Sequence, residues 1–497
     1  MDPVYLVTPM ILLVVVLVAV LLDRWSVPTI LIALGAGILF GSDVLNWWDF
    51  DNVELTNQMA NLALIFILFQ GGFSTRREDF RAVALPAAGL ATWGVVITAG
   101  TTFVVLWAGL GWSLEKSLLL AVIISSTDAA ATFSILRRQS LPQKLSSTVE
   151  IESAANDPMA ILLTLAAIHA LTSGGSHWYM VVLSFAWKFG VGIAVGWLLG
   201  HAATFVFNRL RPQDRGHYYI LTFSVVLLIY SVGELTKSSA MLAVFIAGYI
   251  MGNKPFVHKQ GVANFVSALS TLADTSMFVM MGLLVYPRQW ANLWLQGVAL
   301  FVVLTFIARP VAVWLGTLGM GLGAKNKLFI SWAGLRGAVP IILATYPLAE
   351  GMAVGRDVFN LVFFVVILSV AFQGSTLGVV ARRLGLSTES RPKPLYNLEL
   401  ITMAPSDMDL IVVDIPGPEG RPGPLISELK LPPGSVITLI TRGSDVVVPK
   451  GSTRLQGWDQ ITVLAHVRDE DAIRHALTQM DDKPESAPHH LSSPASA

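Results

Sequence analysis

The sequence contains no cysteine, which excludes disulfide bonds, thiol catalysis and cysteine-ligated metal sites. Charged residues are also scarce: they make up 13% of the 497 residues, about half the share found in an average soluble domain. The 33 basic and 33 acidic residues balance, so net charge gives no reason to expect a nucleic-acid partner. None of the nine histidines has a spacing typical of a metal site.

Apolar residues are abundant and make up 54% of the chain, which is the composition of a membrane protein. Charges become frequent only after Leu386, so we predict a membrane body at 1–385 followed by a polar C-terminal domain. The first apolar stretch lacks a basic flank and a small-residue cleavage site. It is therefore interpreted as a retained membrane span and not as a signal peptide.

Thirteen apolar stretches are candidates for crossing the roughly 30 Å of membrane hydrocarbon. They lie at 4–22, 26–42, 58–74, 83–109, 114–136, 148–170, 178–207, 217–233, 239–252, 262–286, 293–320, 327–349 and 357–381. The loops after odd-numbered stretches hold sixteen lysines and arginines, and the loops after even-numbered stretches hold four. Basic residues favour the cytoplasmic side, so the N-terminus is predicted outside and the polar tail in the cytoplasm.

The thirteen stretches divide into six, one and six. If the two sets of six are repeats, stretch 5 corresponds to stretch 12 and runs in the opposite direction, which is an inverted repeat. Both contain residues that weaken a helix, in SSTDAAATF from Ser125 and SWAGLRGAVP from Ser331. The predicted fold is an all-α polytopic membrane protein with inverted repeats and two crossing broken helices, followed by a small α+β domain.

Two carboxylates are predicted inside the membrane. Asp128 and Asp157 each lie about nine residues from the cytoplasmic end of stretches 5 and 6, or about 13 Å deep at the helical rise. A lone acid at such a depth can serve helix packing alone, but two acids at matched depth beside broken helices favour a functional site. We therefore expect Asp128 and Asp157 to meet near the bilayer centre.

Further oxygen atoms are predicted around Asp157. Ser153 lies one helical turn before it, and Pro158 should leave the carbonyl of Ala154 without its helical partner. With Thr127 and backbone carbonyls, these groups form a set of hard oxygen donors that suits an alkali cation. The alternative is that Ser153 and Thr127 bond only to their own helix backbones.

The chemistry of such a site follows from burial. Low dielectric favours the neutral, protonated form of a carboxylate unless a cation compensates its charge. A site that holds either a proton or a monovalent cation is neutral in both states, whereas an empty charged site resists crossing the membrane. Competition between proton and cation for Asp157 therefore predicts obligatory exchange.

Two intramembrane arginines need partners, because arginine does not lose its proton in proteins. Glu152 is the predicted partner of Arg309. Arg336 is predicted to face either the positive or the negative ends of the broken helices, a choice that the sequence leaves open. Lys188 and Asp274 also lie within apolar stretches, and the sequence assigns them no role.

The segments STDAAATFSIL, EIESAANDPMAILLT and GLRGAVPIILAT closely resemble the NhaP-type branch of monovalent cation/proton antiporters, especially the potassium/proton antiporters known as cell volume regulation protein A. The resemblance covers nearly the whole chain. It implies an electroneutral, homodimeric secondary transporter of the bacterial inner membrane, not an enzyme, whose core domain moves against a dimerisation domain without a cofactor. The residues to which it assigns roles are Asp157, Asp128, Asn156, Ser153 and Thr127 in the cation and proton site, and Glu152, Arg309 and Arg336 as structural supports.

Two positions depart from the pattern of the family. Relatives often have an acid before the paired glycines of stretch 3, where this chain has Gln70 in FQGG, so Gln70 is predicted to modulate cation affinity, selectivity or pH dependence. Ala129 follows Asp128 where sodium/proton exchangers commonly have proline. This second departure favours K⁺ over Na⁺, although an oxygen site suits either ion.

The polar C-terminal part is predicted to begin with a linker at 386–396. Short β-rich runs then alternate with turn signals between 397 and 480, and a helix closes the domain at DEDAIRHALTQ. This pattern resembles the TrkA C-terminal domain (RCK-C), which implies pairing and a small regulatory ligand, although a ligand-free assembly module is the alternative. Residues 481–497 are of low complexity and predicted to be disordered.

Two other classes of protein were weighed. A ligand-gated potassium channel needs a filter of stacked carbonyls such as TVGYG, and the sequence contains none. An intramembrane protease could use Asp128 and Asp157 as an acid pair, but it does not need broken repeats. The sequence therefore favours an antiporter.

Overall fold

The computed structural model describes residues 3–22, 29–47, 52–128, 141–172, 178–210, 214–285, 287–386, 408–415, 420, 422–443 and 445–478. The chain divides into two compact units, Met1–Glu389 and Ser390–Ala497, close to the boundary predicted at 385. Several sequence predictions lie outside the described residues: the end of stretch 5 with Ala129, nearly all of the linker, and the tail at 481–497.

Unit 1 is helical throughout its described part. Its helices are α1 Pro3–Leu22, α2 Thr29–Phe40, α3 Val53–Ser74, α4 Arg77–Gly89, α5 Val95–Val104, α6 Leu114–Ile123, α7 Gln143–Thr172, α8 Trp178–Leu210, α9 Arg215–Leu235, α10 Ala240–Gly252, α11 Lys259–Leu283, α12 Trp294–Val302, α13 Arg309–Gly316, α14 Ala324–Trp332, α15 Ala338–Ala349, α16 Gly355–Leu368 and α17 Ser375–Arg383. Stretches of π-helix join or extend them at Leu90–Gly94, Val105–Gly109, Val303–Ala308 and Ser369–Gly374, and a 3₁₀ turn spans Pro287–Asn292.

Seven continuous helices in the described part are long and apolar enough to cross a membrane. Four further apolar helices are shorter: Leu6–Leu22, Thr29–Phe40, Ala240–Gly252 and Ala338–Ala349. Helical residues occur within each of the thirteen predicted stretches. A helical membrane body is therefore established, whereas the number of crossings depends on how the shorter and broken helices are counted.

Two of these helices are interrupted where the sequence predicted weakness. Helix α6 ends at Ile123, and residues 124–128 are not helical. The hydroxyl of Ser125 donates to the carbonyl of Val122 at 2.7 Å, the kind of side-chain competition that favours a helix end. Residues 333–337 likewise separate α14 from α15, in a segment with two glycines that favour non-helical backbone.

The two interruptions meet each other. The amide of Asp128 donates to the carbonyl of Leu335 at 2.8 Å, which gives both broken segments a backbone partner away from their own helices. A Cβ added to Gly337 would collide with the Asp128 carboxylate. Only glycine allows this close approach.

Helix α11 packs closely against α2 at two glycines. A Cβ at Gly37 would collide with the carbonyl of Val279, and a Cβ at Gly282 would collide with the carbonyl of Leu34. The absence of side chains lets the two backbones approach closely, as small residues do between membrane helices. Helix α11 also packs against α3 and α15.

Unit 2 contains a four-stranded antiparallel sheet with the strand order β1-β6-β3-β4 and a separate two-stranded pair, β2-β5. The elements are β1 Met408–Asp414, β2 Pro422–Leu425, β3 Val436–Arg442, β4 Asp445–Val447, β5 Arg454–Gln456, β6 Gln460–His466 and α18 Glu470–Thr478. The β-rich runs predicted at DLIVVDI, GSVITLITRG, DVVVP and DQITVLA form strands, and the predicted closing helix is present. Strands β2 and β5 were not predicted, because PGPL and RLQ lack β-branched residues.

Candidate cation site

A hydrogen-bonded chain links α7 to the first interruption. The Asn156 amide donates to the hydroxyl of Thr127 at 2.7 Å, and the hydroxyls of Thr127 and Ser153 are 2.8 Å apart. All three residues are completely buried. The hydroxyl groups therefore bond across the helices and not only to their own backbones.

Asp157 lies within α7, directly after Asn156, and is 3% exposed. Its Oδ1 atom is buried and has no hydrogen-bond partner among the described residues, and the same holds for Oδ1 of the neighbouring Asn156. The hydrogen bond that Pro158 is predicted to remove does not end the helix, since α7 continues to Thr172. Two consecutive residues thus present buried acceptor oxygens that no donor from the described part of the chain occupies.

Asp128 is the second acid of the site and is 5% exposed. It stands at the crossing, with its amide bonded to Leu335 and its carboxylate against Gly337. Thr127 and Asn156, which directly precede Asp128 and Asp157 in the sequence, are joined by a hydrogen bond of 2.7 Å. The two acids predicted to meet are thus brought into the same region.

Glu152 and Arg309 form a buried bidentate ion pair. Arg309 Nη2 donates to Glu152 Oε2 at 2.8 Å, and Nη1 lies 2.5 Å from Oε1. Both side chains are almost completely buried. The arginine follows the π-helical segment Val303–Ala308, and the pair ties α13 to α7.

Arg336 adopts one of the two placements that the sequence left open. Its Nη1 donates to the carbonyls of Ser125 and Ser126, at 2.8 and 2.5 Å. A cation thus lies at the negative, C-terminal end of α6, where it interacts favourably with the helix dipole. The carbonyl oxygens of Ser125 and Ser126 stabilise the guanidinium charge there.

The sequence reasoning missed two residues that support Arg336. The Arg336 amide donates to the hydroxyl of Ser369 at 3.0 Å. Ser369 in turn donates to Gln373 Oε1 at 2.6 Å, and Gln373 Nε2 donates to the carbonyl of Trp332 at 3.2 Å. The sequence signal that could have identified them is a serine and a glutamine four residues apart in an apolar stretch. Polar residues in such a stretch commonly face the interior of a membrane protein.

The remaining predicted residues lie elsewhere. Gln70 on α3 donates to the hydroxyl of Ser74 at 3.0 Å, and no hydrogen bond joins it to the site residues within the described part of the chain. Lys188 on α8 is half-buried, and its carbonyl accepts a hydrogen bond from the Ser239 amide. Asp274 lies on α11 and is half-buried.

Comparison with known proteins gives consistent relatives. The family described as sodium/hydrogen exchanger, transmembrane, matches residues 10–383. The chain is 34% identical over 479 residues to the K(+)/H(+) antiporter NhaP2 of Shewanella oneidensis, covering 95% of this chain and 82% of that protein. It is 36% identical over 409 residues to the K(+)/H(+) antiporter NhaP of Alkalimonas amylolytica, covering 82% of this chain and 71% of that one.

Among solved structures, the fold resembles that of the sodium proton antiporter MjNhaP1 from Methanocaldococcus jannaschii. The TM-score is 0.66 and the sequence identity is 22%, with 77% of this chain and 99% of the other covered. At this identity the similarity concerns the fold. It agrees with the helical membrane body described above.

Proposed function

The chain belongs to the sodium/hydrogen exchanger family of secondary monovalent cation/proton antiporters, which are not enzymes, and we propose that it exchanges K⁺ for protons electroneutrally across the bacterial inner membrane. Two K(+)/H(+) antiporters at 34% and 36% identity support K⁺ as the cation. Na⁺ is the second candidate, since MjNhaP1 is a sodium proton antiporter of similar fold.

One observation carries this proposal: the buried Asp157 carboxylate has no positively charged partner among the described residues. Arg309 is bound by Glu152, and Arg336 by carbonyl oxygens. A buried carboxylate without a resident countercharge must take up a proton or a cation. Asp157 is therefore the site at which the two compete.

The neighbouring groups have separate roles in this proposal. Thr127 holds the Asn156 amide nitrogen, which leaves the amide oxygen as a second ligand beside Asp157. Ser153 and Asp128 supply further oxygen at the crossing. The Glu152–Arg309 pair and Arg336 are supports that keep α7 and the broken helices in place.

The same proposal covers the organisation of the whole chain. Thirteen crossings, with the N-terminus outside and the C-terminus in the cytoplasm, are supported by the alternation of basic residues between loops. The chain acts as a homodimer, in which residues 1–385 transport and 397–480 form a TrkA C-terminal-like regulatory domain that binds a small ligand. The mixed sheet and helix of unit 2 support this last assignment.

Cation flux into proteoliposomes tests the function. An imposed proton gradient should drive K⁺ accumulation in the opposite direction, and clamping the membrane potential at zero should leave the rate unchanged, because electroneutral exchange moves no net charge. Asp157→Asn should abolish the exchange. Cation flux that follows voltage without a proton gradient would instead indicate a channel.

A further inference from the structure

Asp274 has no role assigned from the sequence, yet its carboxylate lies in an unusual position. Asp274 lies near the middle of α11, and its Oδ1 atom is buried without a hydrogen-bond partner among the described residues. Helix α11 packs against α15, which begins directly after Gly337, the glycine that lies against the Asp128 carboxylate. A carboxylate oxygen buried without a partner inside a membrane protein needs a functional explanation.

Asp274 is not a third ligand of the cation at Asp157. Within the described ranges, no three acidic or histidine side chains come close enough together to hold one metal ion. Asp274 also belongs to a different helix, which is seated against α2 by Gly37 and Gly282. The carboxylate is therefore a separate position that faces the Asp128 side of the crossing.

A polar face of α11 leads to this carboxylate from the N-terminal end of the helix. The polar residues recur every three or four positions, which places them on one side of a helix. They are Gln260, Asn264, Ser267, Ser270 and Thr271, followed by Asp274. We name this face, with its residues from Gln260 to Thr271, the α11 lane.

Burial changes along the same face. Gln260, Asn264 and Thr271 are exposed, and Ser267 and Ser270 are half-buried. Beyond Asp274 the face becomes apolar and closed: Phe278 and Met281 are 0% and 1% exposed. The α11 lane is thus open from the N-terminal end of the helix up to the carboxylate, where it ends.

The rest of α11 is apolar: Val262 and Val266 are completely buried, and Leu272 is 54% exposed. An exposed leucine suits contact with lipid, whereas polar residues at membrane depth face the protein interior or a water-filled cavity. The α11 lane therefore lines water. Its open end is the end that the basic-residue bias assigns to the cytoplasm.

We propose that Asp274 is a second cation- and proton-exchanging position, reached through water along the α11 lane, from which ions pass to the Asp157 site. This inference rests on the proposed exchange function. A carboxylate at the inner end of a polar path concentrates cations near the crossing and accepts the protons that leave it. Asp274 thus sets the apparent affinity on one side of the membrane.

The native absence of cysteine allows a test that does not depend on transport. Ser270→Cys should react with a membrane-impermeant cationic methanethiosulfonate at least about tenfold faster than Leu272→Cys, because the thiolate that reacts forms in water and not in lipid. Equal labelling rates at the two positions would contradict the claim that the α11 lane lines water. The labelling rates do not depend on whether the wild-type protein exchanges K⁺ for protons. The water path and the proposed exchange function can therefore fail independently of each other.

A second measurement addresses Asp274 itself. Asp274→Asn should raise the apparent KM for K⁺ supplied at the open end of the lane by about tenfold, with a smaller change at the other face, and Asp274→Glu should restore it. A purely structural role would lower the maximal rate or the stability and leave KM unchanged on both faces, which would overturn the proposal. Asp157→Asn, by contrast, should abolish exchange altogether.

Discussion

Asn156 donates a hydrogen bond of 2.7 Å to the hydroxyl of Thr127. Each of these residues directly precedes one of the two acids of the site, Asp157 and Asp128. The contact therefore ties the helix that carries one carboxylate to the interruption that carries the other. It gives Asn156 a fixed orientation, with its amide oxygen left over as an acceptor.

Removal of the Thr127 hydroxyl should weaken cation binding. Thr127→Val leaves the buried Asn156 amide without an acceptor, a loss worth about 1–3 kcal/mol, and the apparent KM for K⁺ should rise by about tenfold. Thr127→Ser should retain the wild-type KM. Thr98→Val is the matched control, since the buried Thr98 hydroxyl bonds only to the carbonyl of Gly94 in its own helix segment; an equal rise in KM there would contradict the account.

A methyl group at Gly337 should disrupt the crossing. Its Cβ would occupy the space of the Asp128 carboxylate, and displacement of a site group by about 1 Å can lower rates by about 100-fold. Exchange activity per folded transporter should fall accordingly in Gly337→Ala. Gly100→Ala is the control, because a Cβ at Gly100 meets nothing within 4 Å; comparable activity in both variants would be inconsistent with the crossing.

Neutralisation of Glu152 should destabilise the membrane unit. Glu152→Gln leaves the Arg309 charge buried without its partner, which costs about 3–5 kcal/mol in comparable pairs. The melting temperature of the purified protein measures the effect, and Glu152→Gln combined with Arg309→Met should recover part of the loss. Glu150→Gln on the same helix is the control, since Glu150 is only half-buried and accepts a hydrogen bond from the hydroxyl of Ser146.

Comparison with the Glu150→Gln control defines the results that would contradict a stabilising role for the ion pair. If Glu150→Gln and Glu152→Gln lowered the melting temperature equally, the buried ion pair would not be the support described here. If the double variant were less stable than Glu152→Gln alone, the unpaired arginine would not be the cause of the loss.

In unit 2, Asp459 should be the most sensitive acid of the sheet. Its buried carboxylate receives two hydrogen bonds of 2.8 Å from Arg442 and one from the Gln456 amide. The hydrogen bonds between Arg442 and Asp459 raise the pKa of the Arg442 guanidinium. Asp459→Asn should cost about 1–3 kcal/mol of domain stability, measured by thermal unfolding. Asp445→Asn at an exposed position should change it little; equal losses would contradict this assignment.

The sequence predicted the features of the site that follow from local composition and from the need to neutralise charge. Weak helix formers marked the interruptions near Asp128 and Gly337, and a buried arginine required an acid, which pointed to the contact between Arg309 and Glu152. The placement of Arg336 could not be predicted, because its acceptors are backbone carbonyls, which every residue has. Only the folded crossing selects those of Ser125 and Ser126.

Other features escaped because their signals were weak or ambiguous. Ser369 and Gln373 stand in an apolar stretch, where a sequence does not tell a support from a tolerated polar residue. The periodic polar face before Asp274 was visible in the sequence and became informative only once its burial was known.

The most direct test of the central claim is the pH dependence of cation binding at Asp157. If the Asp157 carboxylate holds either a proton or K⁺, the apparent KM for K⁺ should rise by about tenfold for each pH unit below the range in which this carboxylate becomes protonated. The maximal rate should stay constant. Titration of the protein with K⁺ should release protons. Asp157→Asn should release none. A KM that does not change with pH, or equal proton release from Asp157→Asn, would contradict competition at this carboxylate.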